Sequence, residues 1–267
     1  MRHLDRWRPT KVEHTNGHFR VRPSGVGPGS LLMALAMTES LLPCLASLSG
    51  RIVDLGAGHV PFYEAYAPNA REIICVDWHN SLHDLTHADV VTDLNRPLPF
   101  KSLSFDGALL SSVLEHVADP STVLQETARI LRPGGTVVLE IPFMYWLHEE
   151  PYDFGRYTEH ALRRFASIAG LDVERLEAYG GIGAVIGDVA AKGLGFFAWR
   201  ARERLPGRPG QLLSRSIDKV SRLTQRGVFY SFSSSARHSR APRSARKFPL
   251  GYVAVLRKPM SREASGR

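Results

Sequence analysis

Residues 51–64, Arg-Ile-Val-Asp-Leu-Gly-Ala-Gly-His-Val-Pro-Phe-Tyr-Glu, gather the residue types that can hold a nucleotide-like ligand. Ile52, Val53 and Leu55 suit a buried strand. Gly56, Ala57 and Gly58 then allow a tight turn and close approach of backbone to a ligand. Pro61 fits the first turn of a following helix, and a helix N-terminus favours anionic or polar groups. The third glycine of a dinucleotide fingerprint is replaced by Pro61, and no Lys-Ser/Thr pair marks a P-loop. Asp77 ends a second apolar run, 73–76, about 20 residues after the turn, where a carboxylate can hold ribose hydroxyls. An ordinary strand–helix turn with packing glycines is the alternative reading.

The second chemical stretch is 142–158, Pro-Phe-Met-Tyr-Trp-Leu-His-Glu-Glu-Pro-Tyr-Asp-Phe-Gly-Arg-Tyr-Thr, dense in aromatic and titratable side chains. His148 and Asp153 are candidate proton acceptors, although each serves equally well as a structural hydrogen-bonding group. Arg156 can pair an acidic ligand group or lock Asp153 in place. Tyr145, Trp146 and Tyr157 can shape a pocket or simply pack. Outside this loop no His, Cys or carboxylate cluster has metal-ligand spacing, and no metal is expected.

Elements must position these residues. The pattern predicts a helix over 30–42 ended by Pro43, strands over 51–55 and 72–76, and a helix over 61–67 between them. A short strand follows 84–91, and another strand covers 104–111. A helix over 121–131 with Ser121 as N-cap leads to a strand over 136–141. Thr158 caps a helix over 158–169, a strand covers 171–179, and a last strand lies at 250–256. Strands alternating with helices predict a doubly wound parallel sheet, whose ligands sit beyond the carboxyl ends of the strands. Asp54, Trp78, Asp93, Leu94, Ser111 and Ser112 all fall at that edge.

The chain of 267 residues suits one α/β domain with an elaboration. No run of about 18 apolar residues is free of charges or helix breakers, so no spanning helix is expected, and the N-terminal stretch does not read as a secretory signal. Cys44 and Cys75 read as buried thiols of a reducing, cytoplasmic setting. The formal charge of +8 is uneven: residues 1–30 carry six Arg/Lys against two acids, 31–199 eleven against twenty-one, and 200–267 seventeen against three. Basic flanks around an acidic middle suggest contact with something anionic.

Asp54-Leu-Gly-Ala-Gly58, Leu98-Pro-Phe100, Phe105-Asp106, Leu114-Glu-His-Val117, Asp119-Pro120 and Leu131-Arg-Pro-Gly-Gly135 occur in order. Together they resemble the blocks of a class I S-adenosylmethionine (SAM) methyltransferase of the methyltransferase-11 type, over roughly residues 50–142. The resemblance implies a Rossmann-like, seven-stranded, mostly parallel sheet, with the last strand inserted antiparallel between strands 5 and 6. It implies SAM as cofactor, held by Asp54, Gly56, Ala57 and Gly58 at the methionine part. Asp77 and Trp78 would lie at the ribose, Asp93 and Leu94 at the adenine, and Ser111 and Ser112 beside the methionine end. Asp93 and Asp106 could instead cap turns. Val60 departs from the glycine common there. His116 reads as structural or as a pocket wall.

His148 to Thr158 also resembles a His-x-x-Pro-x-Asp-x-x-Arg-Tyr-Thr stretch of a methyltransferase subgroup linked to cell-surface glycan or lipid biosynthesis. That match is silent on the acceptor; the expected one is a small molecule or a glycan/lipid-linked hydroxyl, methylated on oxygen, and His148 or Asp153 could take its proton if within hydrogen-bond reach. RNA methylation and SAM binding without turnover are the alternatives. The divisions expected are a basic lead-in and helix (1–49), the SAM-binding core (50–180), a basic helical insertion (181–247), the last strand (248–258) and a tail (259–267). In the insertion, 182–199 is apolar, with Asp188 and Lys192 spaced to pair, and four arginines follow closely. It reads either as a crossover helix or as an interfacial helix on an anionic membrane. A basic helix is expected over 212–223, and 229–247 is expected to be mobile. Phe229, Tyr230 and Phe232 beside Arg237, Arg240 and Arg243 offer weaker support for nucleic acid.

Overall fold

The first strands set the frame, because 52–55 and 73–76 are apolar runs of the kind buried on both faces of a parallel sheet. The computed structural model describes residues 1–205, 207–233 and 243–260. Their elements run β1 (Val12–Thr15), β2 (His18–Val21), α1 (Leu31–Leu45), β3 (Gly50–Leu55), α2 (Tyr63–Tyr66), β4 (Ala70–Asp77) and β5 (Val90–Val91). Then follow β6 (Phe105–Ser111), α3 (Pro120–Ile130), β7 (Leu131–Pro142), α4 (Glu159–Ile168), β8 (Asp172–Gly180), α5 (Ile182–Arg204), α6 (Arg208–Ser233), α7 (Arg243–Lys247) and β9 (Pro249–Arg257).

Seven strands form one sheet in the order β5-β4-β3-β6-β7-β9-β8. β3 pairs parallel with β4 and β6, β4 with β5, and β6 with β7. β9 pairs antiparallel with β7, Leu139 facing Ala254, as expected for the last strand. This is the doubly wound class I methyltransferase fold. The strand order reverses between β3 and β6, which opens a crevice at their carboxyl ends. Ile52, Val53, Leu55, Val76, Ala108, Leu110, Val137, Val138 and Ile141 are wholly buried and form the centre of the core. Cys44 and Cys75 are buried free thiols.

Several boundaries differ from expectation. The lead-in contains an unforeseen hairpin, β1–β2, turned by Asn16 and Gly17 at φ 51° and 76°. α1 continues through Pro43 to Leu45, since a proline in the last turn forfeits few helical hydrogen bonds. α2 is only four residues long, and Pro68 diverts it into a 3-10 turn over Ala67–Asn69. The cap of α3 is Asp119, not Ser121: its carboxylate accepts from the N–H groups of Ser121 and Thr122. β7 starts five residues early, because Phe105 already pairs with Leu131 before a register shift. Asp106 does not cap a turn; it accepts from Arg51 N at 2.8 Å and Arg132 Nη1 at 2.5 Å, tying β3 to the start of β7.

Contacts divide the chain into two units. One holds Met1–Thr10, Ser40–Glu177 and Gly251–Arg267; the other holds Lys11–Glu39 and Ala178–Leu250. Within the second, α5 packs on α6 with Ala184, Asp188, Ala191, Lys192 and Ala198 buried, and Asp188 pairs with Lys192 as its spacing predicts. By length and composition alone α5 could cross a membrane, contrary to expectation: its four glycines do not break it. The predicted basic helix is the longer α6. Of the stretch expected to be mobile, residues 234–242 lie outside the described residues, as do Arg237, Arg240 and residues 261–267 of the tail.

Candidate active site

Backbone conformation marks the carboxyl edge before any side chain does. Gly56 and Gly58 have φ of 71° and 51°. A Cβ at Gly56 would lie 2.6 Å from Val113 Cγ2, and one at Gly58 would lie 2.9 Å from His83. The N–H groups of Gly56 and Ala57 both donate to Val76 O, binding the turn to the end of β4. Val60 also adopts a left-handed conformation, φ 51°, with its side chain fully buried. The chain thus keeps the backbone shape that a glycine would take there, against the steric preference of a β-branched residue. Ser112 and Glu149, at φ 53° and 55°, are strained in the same way. Such residues concentrate where a fold is organised for function.

Asp77 is 6% exposed and is held on both oxygens: Gly58 N donates to Oδ2 at 2.9 Å and Trp78 N to Oδ1 at 2.8 Å. Its carboxylate therefore sits fixed beside the glycine turn. Asp54 lies deeper, 4% exposed, and accepts from the Tyr66 hydroxyl at 2.6 Å. Burial drives its carboxyl up to about 7, the Tyr66 bond opposing and the Asp77 charge adding to the rise. Asp54 is thus a structural anchor beneath the turn. Asp93 Oδ1 accepts from both Asn95 nitrogens at 2.9 Å and shapes a loop, with Leu94 buried behind it. Ser111 and Ser112 donate to Glu140 Oε2 at 3.4 and 2.8 Å. These residues fit a SAM site by the backbone cradle at 56–58 and the fixed acid at 77.

The 143–157 loop belongs to the same unit and reaches the same edge. The ring of Tyr152 lies 4.7 Å from that of Trp78, edge-on, and its hydroxyl accepts from Asn80 at 3.3 Å. Phe154 N donates to Glu115 O at 2.7 Å, which fastens the loop to the turn after β6. Arg156 grips Asp153 through two nitrogens at 2.5 and 2.8 Å. Burial alone would raise the Asp153 carboxyl, but the Arg156 bonds and the His148 N–H hold it at about 2. A carboxylate so acidic, with a side chain only 2% exposed, is a poor proton acceptor. Asp153 orients the loop; of the two proton acceptors expected from sequence, His148 is the one the geometry leaves available.

His148 keeps 22% of its side chain exposed, and burial with the neighbouring His116 lowers its basicity, so the ring is neutral at pH 7. His116 lies edge-on to it, ring centres 4.7 Å apart, and Tyr145 packs on its other side at 5.1 Å. His116 is thus more than a wall: it faces the same space as His148. Trp146 is half-exposed, and Tyr157 packs edge-on to Phe165 at 5.2 Å, towards α4. Glu115 and Glu140, both with no exposed surface, complete the site and were missed from sequence. A lone acid inside Leu-Glu-His-Val or Thr-Val-Val-Leu-Glu-Ile is itself a signal, because buried acids are rare without a partner or a task. The expectation of no metal cluster also needs correction: Glu115, His116 and His148 place one donor atom each within 4.8 Å of one another. Two separate loops supply them, so no single spacing could reveal the group.

Comparison with known proteins bears on the domain that carries these residues. Residues 53–139 match the Methyltransf_11 family, described as a methyltransferase domain. The chain is 30% identical over 121 residues to the demethylmenaquinone methyltransferase of Clavibacter sepedonicus, covering 40% of this chain and 46% of that protein. It is 31% identical over 108 residues to the ubiquinone biosynthesis O-methyltransferase of Alkalilimnicola ehrlichii, covering 36% and 43%. The chain spans about half the length of these curated relatives. In fold it resembles a candidate methyltransferase of Bacillus halodurans C-125, with a TM-score of 0.50 and 13% identity over 82% of this chain and 97% of that one.

Proposed function

Because residues 53–139 are a methyltransferase domain of class I fold, we propose that the whole chain is an enzyme that methylates an oxygen of a small-molecule or glycan/lipid-linked acceptor. The observation that carries this reading is that the 143–157 loop reaches the end of β4, through Tyr152 on Trp78, where Asp77 is bonded to the glycine turn. SAM would supply a methyl group on a sulfonium sulfur, an electrophile that needs no further activation. The protein's part is then to align an acceptor in a dry pocket and to remove its proton. Gly56, Ala57 and Gly58 would give the methionine portion a close approach to backbone, and Asp77 would take the ribose. Tyr145 and Trp146 would offer apolar walls. His148, neutral at pH 7, takes the acceptor's hydroxyl proton as the oxygen becomes bonded to carbon. Arg156 and Asp153 keep His148 in place.

The relatives' names support a small-molecule acceptor, and one names an O-methyltransferase. The second unit supports a peripheral place at an anionic membrane, on the cytoplasmic side. Ile182, Ile186, Val189, Phe196 and Phe197 form one exposed stripe along α5, and Arg200, Arg202, Arg204 and Arg208 follow.

The test is transfer of labelled methyl from SAM to a panel of phenols, quinols, lipid-linked glycans and RNA. Transfer to a hydroxyl of the first three is expected. Transfer to RNA alone would favour nucleic acid as substrate, and SAM binding without any transfer would favour a binding protein.

A further inference from the structure

We propose that Glu115, His116 and His148 form a binding site for a divalent first-row transition cation. The site lies at the acceptor end of the proposed methyl-transfer centre; its assignment to acceptor binding rests on that reading, whereas the cation site stands on geometry alone.

Three observations carry it. First, the Nε2 atoms of His116 and His148 lie 3.7 and 3.9 Å from the same oxygen, Glu115 Oε1. Ligands roughly 2.0–2.2 Å from a tetrahedral cation stand about 3.3–3.6 Å apart. Each histidine need therefore close on the carboxylate by only a few tenths of an ångström, while the trio as a whole, within 4.8 Å, must draw in further on an ion. Second, the Glu115 side chain has no exposed surface, and neither of its oxygens receives a hydrogen bond from another described residue. A buried carboxylate left so is unfavourable unless a cation or a proton compensates it. It points at the space the two imidazoles share, and their side chains, 14% and 22% exposed, leave an approach from solvent.

Third, both rings are set for ligation by what holds their other nitrogen. His116 Nδ1 faces the carbonyl of Tyr152 at 2.8 Å, a partner that can only accept. His148 Nδ1 lies 3.3 Å from Asp153 Oδ2 and 3.3 Å from the Trp146 carbonyl, both acceptors. Arg156 Nη2 is also near, at 3.4 Å, but donates to Asp153 and to Trp146 O. Protons on Nδ1 leave the Nε2 lone pairs aimed at Glu115, the arrangement in which carboxylate or carbonyl groups support metal-binding histidines. Glu149 Oε2, 4.0 Å from His116 Nε2, is within reach as a fourth ligand. Two imidazoles and a carboxylate suit zinc, iron, cobalt or nickel better than calcium or magnesium. Remaining positions on such an ion would be open to an acceptor oxygen, whose proton the ion would make more acidic; His148 is then a ligand, and it takes the acceptor's proton itself only where no cation is bound.

The experiment titrates Zn2+ by calorimetry, and Co2+ by its visible ligand-field absorption, into chelator-stripped full-length protein. One equivalent should bind in the micromolar range or tighter. Glu115→Gln and His148→Ala should each weaken binding at least about tenfold, and Asp153→Asn should weaken it by roughly tenfold through loss of ring support. SAM binding to the same variants reports that they are folded. Cation binding equal in wild type and variants, or none in wild type, would overturn the proposal; in that case Glu115 carries a proton. Cation binding without any SAM binding would overturn the methyl-transfer reading and leave the cation site standing.

Discussion

Asp153 and Asp54 are buried carboxylates that the protein treats in opposite ways, and each leaves its own mark on stability. Asp153 is held at about 2 by Arg156 and the His148 N–H against the effect of burial. Its contribution is present above the unfolded value near 3.8 and is lost as pH falls through 2. Asp153→Asn should therefore lower unfolding free energy at pH 7 by roughly 2–3 kcal/mol, a deficit that shrinks below pH 4 in urea titrations. Asp54, raised to about 7 by burial, has the opposite sign. Its contribution is complete below the unfolded value near 3.8 and is lost as pH rises through 7. Asp54→Asn should flatten the fall in stability between pH 4 and 7, by an amount on the order of a few kcal/mol. At this scale the sequence exposed Asp77, His148 and Arg156, whose spacing and company are distinctive. It concealed Glu115 and Glu140, because their burial depends on loops and strands remote in the chain.

Among elements, the alternation of apolar strands and amphipathic helices was readable from composition and periodicity, and the antiparallel last strand followed from family resemblance. The hairpin β1–β2 was overlooked although Asn16-Gly17 is a strong signal for a two-residue turn; its strands, of four residues each, are too short for a clear alternation. The late start of α2, at Tyr63 and not at Pro61, was illegible because Val60 takes a left-handed shape that its residue type disfavours. Two substitutions separate the roles of these elements. Asp119→Ala removes the cap of α3 and should cost about 1 kcal/mol in chemical denaturation while leaving SAM affinity unchanged. Gly56→Ala places a methyl group against Val113 in a left-handed backbone. It should weaken SAM binding at least about tenfold, because the turn must move.

For the molecule as a whole, charge and apolar surface point in one direction. The middle of the chain is acidic, residues 200–267 carry seventeen Arg/Lys against three acids, and α5 exposes an apolar stripe just before the arginines begin. Vesicles with anionic headgroups should therefore co-sediment with the protein. Phe196→Ser with Phe197→Ser should abolish that binding, and raised salt should weaken it. Equal binding by the double variant would remove the stripe from the account. The central claim concerns the other unit, where the glycine turn and Asp77 are proposed to receive SAM. The most direct measurement is calorimetric titration of SAM and its demethylated product into wild type and Asp77→Ala, with a thermal melt to verify folding. Micromolar binding to wild type, lost in the folded variant, is the predicted result. No binding to wild type, or equal binding to both, would contradict it.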